Sequence, residues 1–320
     1  MLINIYNHEF KDLQSHKKGL SEEDRIWTKK IETTCATTRD GHYELSLPFR
    51  DLEPRFPNNK GLAVKRIQSL KRKFSKDQSY LKEYSKYMSE ILEKGHAEAV
   101  KECITEEGKV WYIPHHSVYH PQKPDKIRVV FDCAAKFKGR CLNDSLLQGP
   151  DLASPLVEVL IKFRQGPYAF MADIESMFYQ IKVPVKDRDY LRFLWWPDKN
   201  FEIDPVEYRM TVHIFGANSS PSCANYALQK TAMDYGNEDL ALAKHTILNN
   251  FYVDDCLKST DTETQLVKVA HDVQTLCKKG GFNLTKYVSN SRCLLQSFPE
   301  DHHGKNVKVI DLCKDILPSV

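Results

Sequence analysis

Apolar and polar positions follow several different periods along this chain, and the changes of period divide it. Residues 1–60 are polar and irregular, with Pro48, Pro54 and Pro57 interrupting any long element. From Lys60 to about Val100 the spacing turns helical. Leu81, Tyr84, Met88, Ile91 and Leu92 recur on one side, and Lys65, Arg66, Lys71, Arg72, Lys73 and Lys76 crowd the first half. Such a basic run reads first as a solvated face and second as a nucleic-acid contact. Residues 110–113 and 127–131, aromatic and β-branched around a polar turn with Pro121 and Pro124, predict a long β-hairpin.

Beyond Pro155 the order becomes regular. Residues 168–173 are a short run apolar on both faces, the pattern of a buried central strand. Residues 190–195 and 206–214 read as a further strand pair joined through 197–200. Ser220 and Pro221 start a helix, because proline at the first helical position loses no needed N–H, and that helix runs to about Gly236. Residues 246–252 and 256–259 are two strands separated only by Val253, Asp254 and Asp255. Thr260 and Glu263 make a capping-box pattern for a helix striped by Leu266, Val269, Val273 and Leu276, which Gly280 ends. Lys278 and Lys279 suit the negative end of its dipole, and Phe282, Leu284 and Val288 then alternate in a last strand. Without the inserted strand pair, 168–288 reads strand, helix, strand, strand, helix, strand. That is the split βαβ, ferredoxin-like order of an α+β fold. Many proteins share it, so it specifies no chemistry.

Composition narrows the picture further. At 320 residues and 41% hydrophobic content the chain is able to bury a sizeable core, in two or three subdomains. Its net charge of +3 does not by itself announce a nucleic-acid partner. Nine cysteines, an odd count without a C-x-x-C pair, predict reduced thiols in place of a disulfide framework or zinc site. The first residues carry no apolar signal region, and no apolar run approaches the ~20 residues of a membrane span. The expectation is a soluble, cytoplasmic protein with no membrane partner.

Two acidic spots carry candidate chemistry. Asp173 ends an apolar strand, and Asp254 and Asp255 occupy a hairpin tip. An Asp pair in a turn is by itself turn chemistry. In a split βαβ sheet, however, the first strand lies beside the hairpin strands, so all three carboxylates gather at one edge. Repulsion and desolvation then disfavour their ionised forms. Lys258 is the nearest cation in sequence and Lys182 lies beyond a turn. A divalent metal is therefore the expected counter-charge. Mg²⁺ binds through one or two carboxylates plus substrate phosphates, and two such ions ~4 Å apart would activate a 3′-hydroxyl and stabilise leaving pyrophosphate.

Tyr252-Val253-Asp254-Asp255 matches the Y-x-D-D motif of reverse transcriptases, and the stretch around Asp173 resembles their first palm motif. Residues 111–116, 128–139, 142–144, 172–178, 191–195 and 281–290 resemble, in order, the BEL/Pao group of LTR retrotransposons, and the likeness runs from roughly 30 to 295. The resemblance implies a right-hand polymerase of fingers and palm, the palm being an antiparallel split βαβ sheet with helices on one face. It implies an irregular segment at 1–60, fingers at 61–165, palm at 166–290 and an incomplete start of a thumb or connection at 291–320. The chain is then expected to be a piece of a Pol polyprotein.

The same resemblance implies roles. Asp173, Asp254 and Asp255 are the catalytic triad and, with the Ile174 carbonyl, the ligands of two Mg²⁺ ions for which Mn²⁺ substitutes. Arg128 packs over the incoming nucleotide and contacts its triphosphate, a task suited to a planar guanidinium, with Lys126 or Lys123 reaching the phosphates beside it. Phe178 is an aromatic gate against the 2′-hydroxyl and favours dNTPs over rNTPs. Tyr252 and Gly216 line the substrate site, and Lys286 resembles a cation that protonates leaving pyrophosphate. Phe215 stands where retroviral enzymes carry glutamine before that glycine, so contacts assigned to the glutamine do not transfer. The implied function is RNA-directed DNA polymerase acting on an RNA or DNA template with primer and dNTPs. The alternatives are a catalytically inactive remnant that binds nucleic acid or protein and, further behind, an RNA-directed RNA polymerase.

Overall fold

The structure is a computed structural model and describes residues 19–101, 106–120 and 123–304, with the side chains of 120–126 and of Lys199 outside that description. It begins with helix α1 (Glu22–Thr34), closed by a capping box in which Ser21 and Asp24 satisfy each other's backbone N–H. Trp27 and Ile31, spaced to share one face of the helix, are fully buried. The stretch before residue 60, expected to be irregular, therefore contains a packed helix. Strands β1 (Ala36–Thr37) and β2 (Tyr43–Glu44) follow as a small antiparallel pair. The helical run from Lys60 is two helices, α2 (Lys60–Phe74) and α3 (Gln78–Glu93), the second capped by Asp77 accepting from the Tyr80 N–H.

Strand β3 (Ala97–Ala99) leads to the predicted hairpin, whose first arm is displaced. It is β4 (His115–His120) that pairs with β5 (Lys123–Phe131). Residues 110–113 stay outside, Tyr112 making an isolated bridge to Arg192. Trp111, Tyr112 and Ile113 are consecutive buried side chains, a pattern that a core-crossing segment satisfies as readily as a strand.

Helices α4 (Leu142–Ser145) and α5 (Leu156–Phe163) precede β6 (Tyr168–Ile174). Strands β7 (Arg192–Trp195) and β8 (Val206–Met210) come next, then helix α6 (Ser220–Tyr235), with Pro221 in its first turn. Residues 246–252, expected as strand, are mostly helix: α7 (Ala241–Asn249) ends just before the short strand β9 (Phe251–Tyr252). The β-forming content of that stretch loses to the helical spacing of Ala243, Thr246 and Ile247, all buried. Strand β10 (Asp255–Thr260), helix α8 (Glu263–Lys279), strand β11 (Leu284–Ser289) and helix α9 (Arg292–Gln296) follow. The cap of α8 is Thr262, which accepts from the Gln265 N–H, and not Thr260, which remains in β10.

Four strands form one antiparallel sheet in the order β11-β6-β10-β9, the split βαβ order read from the sequence. A separate sheet, β3-β8-β7, takes in the inserted strand pair. Apolar side chains gather in two cores. One lies among α2, α3, β5, β7 and β8. The other lies between the four-stranded sheet and helices α1, α6, α7 and α8. Phe170, Ala172 and Ile174 of β6 are buried in that second core, but Met171 is 39% exposed on the opposite face. The strand is thus covered on one face along its length, not on both. Small Ala169 and Met171 make its open face look apolar in sequence. Every described cysteine is free, and no helix among the described residues is long and apolar enough to cross a membrane.

Candidate active site

The register of β6 against β10 sets Asp173 directly opposite Asp255, and β9 sets Tyr252 opposite Asp255 from the other side. Cross-strand partners share a face of the sheet, so these three side chains lie on the face away from the helices. Asp254 sits in the turn, and its backbone is tied to β6 because the Ile174 N–H donates to the Asp254 carbonyl at 2.9 Å. Val253, first in that two-residue turn, has φ +55°, and Asp254 is not in the left-handed region. A positive φ at the first central position of a two-residue hairpin turn is ordinarily taken by glycine.

Burial raises the pKa of Asp254, with repulsion from Asp173 adding to it; the charges of Lys286 and Arg128 act the other way. Asp255 is likewise raised by burial, then by Asp254 and Asp173, with Lys286 opposing. Lys286 is the cation the sequence placed only loosely. Its Nζ lies 2.7 Å from Asp173 Oδ1. It arrives there because β11 bulges between Thr285 and Val288 and Lys286 adopts φ +56°. Lys258, nearest in sequence, pairs in register with Phe170 and so faces the helical side. Lys182 has its backbone in isolated β-bridges to Glu44 and Val212 and is not among the charges acting on Asp254 or Asp255.

No three His, Cys, Asp or Glu side chains among the described residues converge as a preformed metal cage. The donor set still has the hard-oxygen chemistry that suits Mg²⁺, which completes its shell with water and substrate phosphates. The two carboxyls that burial holds toward the neutral form are those whose ionised form a divalent cation would stabilise.

The other predicted residues assemble beside this edge. Arg128, exposed on β5, has its guanidinium carbon 4.3 Å from the centroid of the Phe215 ring. Phe178 is 9% exposed, with its ring centroid 4.4 Å from that of Phe215. Gly216 has φ +109°, and a Cβ there would stand 2.2 Å from the Phe131 carbonyl oxygen, so the loop touches β5 backbone to backbone. Tyr252 is 37% exposed beside Asp255. Lys126 belongs to β5, but its side chain, like that of Lys123, lies outside the described residues. Sequence reasoning missed Asn143, whose side chain donates to the Gly216 carbonyl at 2.9 Å and accepts from the Asn218 N–H at 3.0 Å. Only its place in the 142–144 block pointed to it. A cavity of about 450 Å³ lined by Arg55, Glu106 and Tyr112 among others includes none of these residues.

No family model matches the chain, and no curated protein matches it. Among solved structures it is similar to the protease–reverse transcriptase of prototype foamy virus (a CSH mutant), at 16% identity and a TM-score of 0.47, covering 88% of this chain and 33% of that one. It is also similar to the foamy viral protease–reverse transcriptase dRH in complex with double-stranded DNA, at 15% identity and a TM-score of 0.46, covering 87% of this chain and 42% of that one. The chain therefore spans less than half the length of either structure.

Proposed function

We propose that this chain is the fingers-and-palm portion of a retroelement reverse transcriptase, an RNA-directed DNA polymerase. The observation that carries the reading is the register that pairs Asp173 with Asp255 and ties Asp254 to Ile174 at one sheet edge. Arg128 supports it, because its charge reaches Asp254 from a different strand pair.

In this reading Asp173 and Asp254, with Asp255 in a lesser role, would hold two Mg²⁺ ions, whose chemistry there would be to lower the pKa of an attacking 3′-hydroxyl and offset charge on leaving pyrophosphate. Arg128 binds the triphosphate of the incoming dNTP through its planar fork. Phe178 closes the space beside the sugar 2′ position. The Lys286 ammonium is held at the carboxylate edge by its pair with Asp173. When Asp173 is engaged elsewhere, the ammonium is released to donate a proton to the leaving phosphate oxygen. Primer–template lies along the open face, and a thumb beyond this chain would supply much of the phosphate contact that sets affinity.

The test is primer extension on an RNA template with dNTPs and Mg²⁺ or Mn²⁺, run beside Asp254→Asn. Extension is expected with dNTPs, not rNTPs, with a loss of at least ~100-fold in the variant, the scale of removing a principal electrostatic stabiliser. A folded chain that extends nothing, alone or joined to a related thumb, sinks the polymerase reading and leaves the inactive remnant.

A further inference from the structure

The loop that carries Phe215 is keyed to the strand that carries Arg128. Gly216 lies so close to the Phe131 carbonyl that no side chain fits between them, and Asn143 clamps the loop at both Gly216 and Asn218. The backbone around Phe215 is thereby fixed against β5. Its half-buried ring then meets three partners: the Arg128 guanidinium at 4.3 Å, the Phe178 ring at 4.4 Å, and the Tyr179 ring edge-on at 6.3 Å. Tyr179 in turn shares a short hydroxyl contact with Tyr87 of α3. Phe215 is thus backed on one side by an aromatic wall and presents a π surface to a cation on another.

We infer that Phe215 is a positioning residue that holds Arg128 and Phe178 in one arrangement, and so sets both dNTP affinity and sugar discrimination. This rests on the polymerase reading of the site. A guanidinium on a flexible stem loses rotamer freedom when it binds a triphosphate, and a ring face that already orients it reduces that loss. The same ring bears on Phe178. The gate is then a pair of rings instead of one, and its stiffness depends on the pair. An amide side chain at 215 would offer hydrogen bonds but no π face, so the phenyl group specifies a different means of holding the arginine.

The experiment compares Phe215→Leu, which keeps apolar bulk but removes the ring, with Phe215→Tyr, which keeps it. With single-nucleotide incorporation as readout, Phe215→Leu is expected to raise the KM for dNTP roughly threefold to tenfold, with kcat within about twofold. Its preference for dNTP over rNTP is expected to fall several-fold, and Phe215→Tyr to restore both. An active Phe215→Leu enzyme with unchanged KM and unchanged discrimination overturns the inference. A second readout does not need turnover. In arginine-labelled chain, the Arg128 side-chain NMR signals are expected to be shifted by the ring current of Phe215, in the parent and in Phe215→Tyr but not in Phe215→Leu. Identical Arg128 signals in all three overturn it as well. A parent that extends no primer yet shows the ring-shifted arginine, further perturbed by dTTP with Mg²⁺, defeats the polymerase reading and leaves the positioning contact supported. In such a parent, an arginine indifferent to dTTP defeats both.

Discussion

Val253 holds the hairpin tip at φ +55°, in a region where a β-branched residue costs on the order of 1–3 kcal/mol. The surroundings enforce it. Tyr252 and Asp255 are paired on either side, and the Asp254 carbonyl is bonded to Ile174. Glycine would take this conformation without strain, though it also loosens the unfolded chain. Val253→Gly is therefore expected to match or exceed the parent in stability by about 1 kcal/mol in urea unfolding. It is also expected to extend primers more slowly, because the tip that holds Asp254 becomes more mobile. A variant that loses stability by more than that amount would show that contacts of the valine side chain outweigh the strain. Lys286 makes a comparable point. Its spacing in sequence gave no reason to expect it at Asp173, because it reaches the carboxylate only through a bulge and a positive φ.

At the scale of elements, α1 is the part of the fold that patterning concealed. Its polar surface residues dominate the sequence, and only Trp27 and Ile31 mark the buried side. Yet Trp27 packs where a Cβ on Gly149 would come within 2.6 Å of its ring, and both of its buried residues belong to the second core. Trp27→Ala is expected to destabilise the chain by about 3–5 kcal/mol in chemical denaturation, the cost of emptying an aromatic core site. A change near zero would mean that α1 is only loosely attached. The four-stranded sheet, by contrast, was legible, because β6, β10, β11 and α8 are each long enough to show a pattern and their order leaves few topologies, although two-residue β9 shows none of its own. The misread elements have specific causes. Thr246 and Ile247 are β-branched but continue a helix begun at Ala241, and residues 111–113 are consecutive buried side chains without being a strand. The meeting of Asp173 with Asp255 followed from topology alone, whereas the stack of Arg128 on Phe215 depends on a loop that no periodicity describes.

For the whole molecule, histidines lowered by burial couple folding to pH, and two of them, His115 and His213, are fully enclosed. His115 donates from Nε2 to the Leu194 carbonyl at 2.9 Å and accepts the Tyr84 hydroxyl at Nδ1, 2.6 Å away. His213 donates from Nε2 to the Leu45 carbonyl at 3.0 Å, and its Nδ1 has no partner. Burial pushes both down to about 4 from the ordinary histidine value. A base held neutral in the folded chain but free to protonate when unfolded contributes stability above the unfolded pKa. That contribution is lost as pH falls from about 6.5 toward 4. At pH 5 the loss amounts to about 2 kcal/mol per histidine. Asp187, Asp254 and Asp255 act in the opposite sense, because burial raises their pKa values and their contribution grows as pH falls into the carboxylate range. In the unfolded chain the depressed histidines titrate between pH 7 and pH 5, and a single histidine variant isolates its share of that loss from the opposing carboxyls. Urea unfolding at the two pH values is expected to show a loss of up to about 4 kcal/mol from these two histidines, with His96, also lowered to about 4 chiefly by burial, adding in the same sense, and about 2 kcal/mol less loss in His213→Asn than in the parent. If parent and variant lose the same amount, His213 is protonated in the folded chain, and the acid sensitivity lies in other groups.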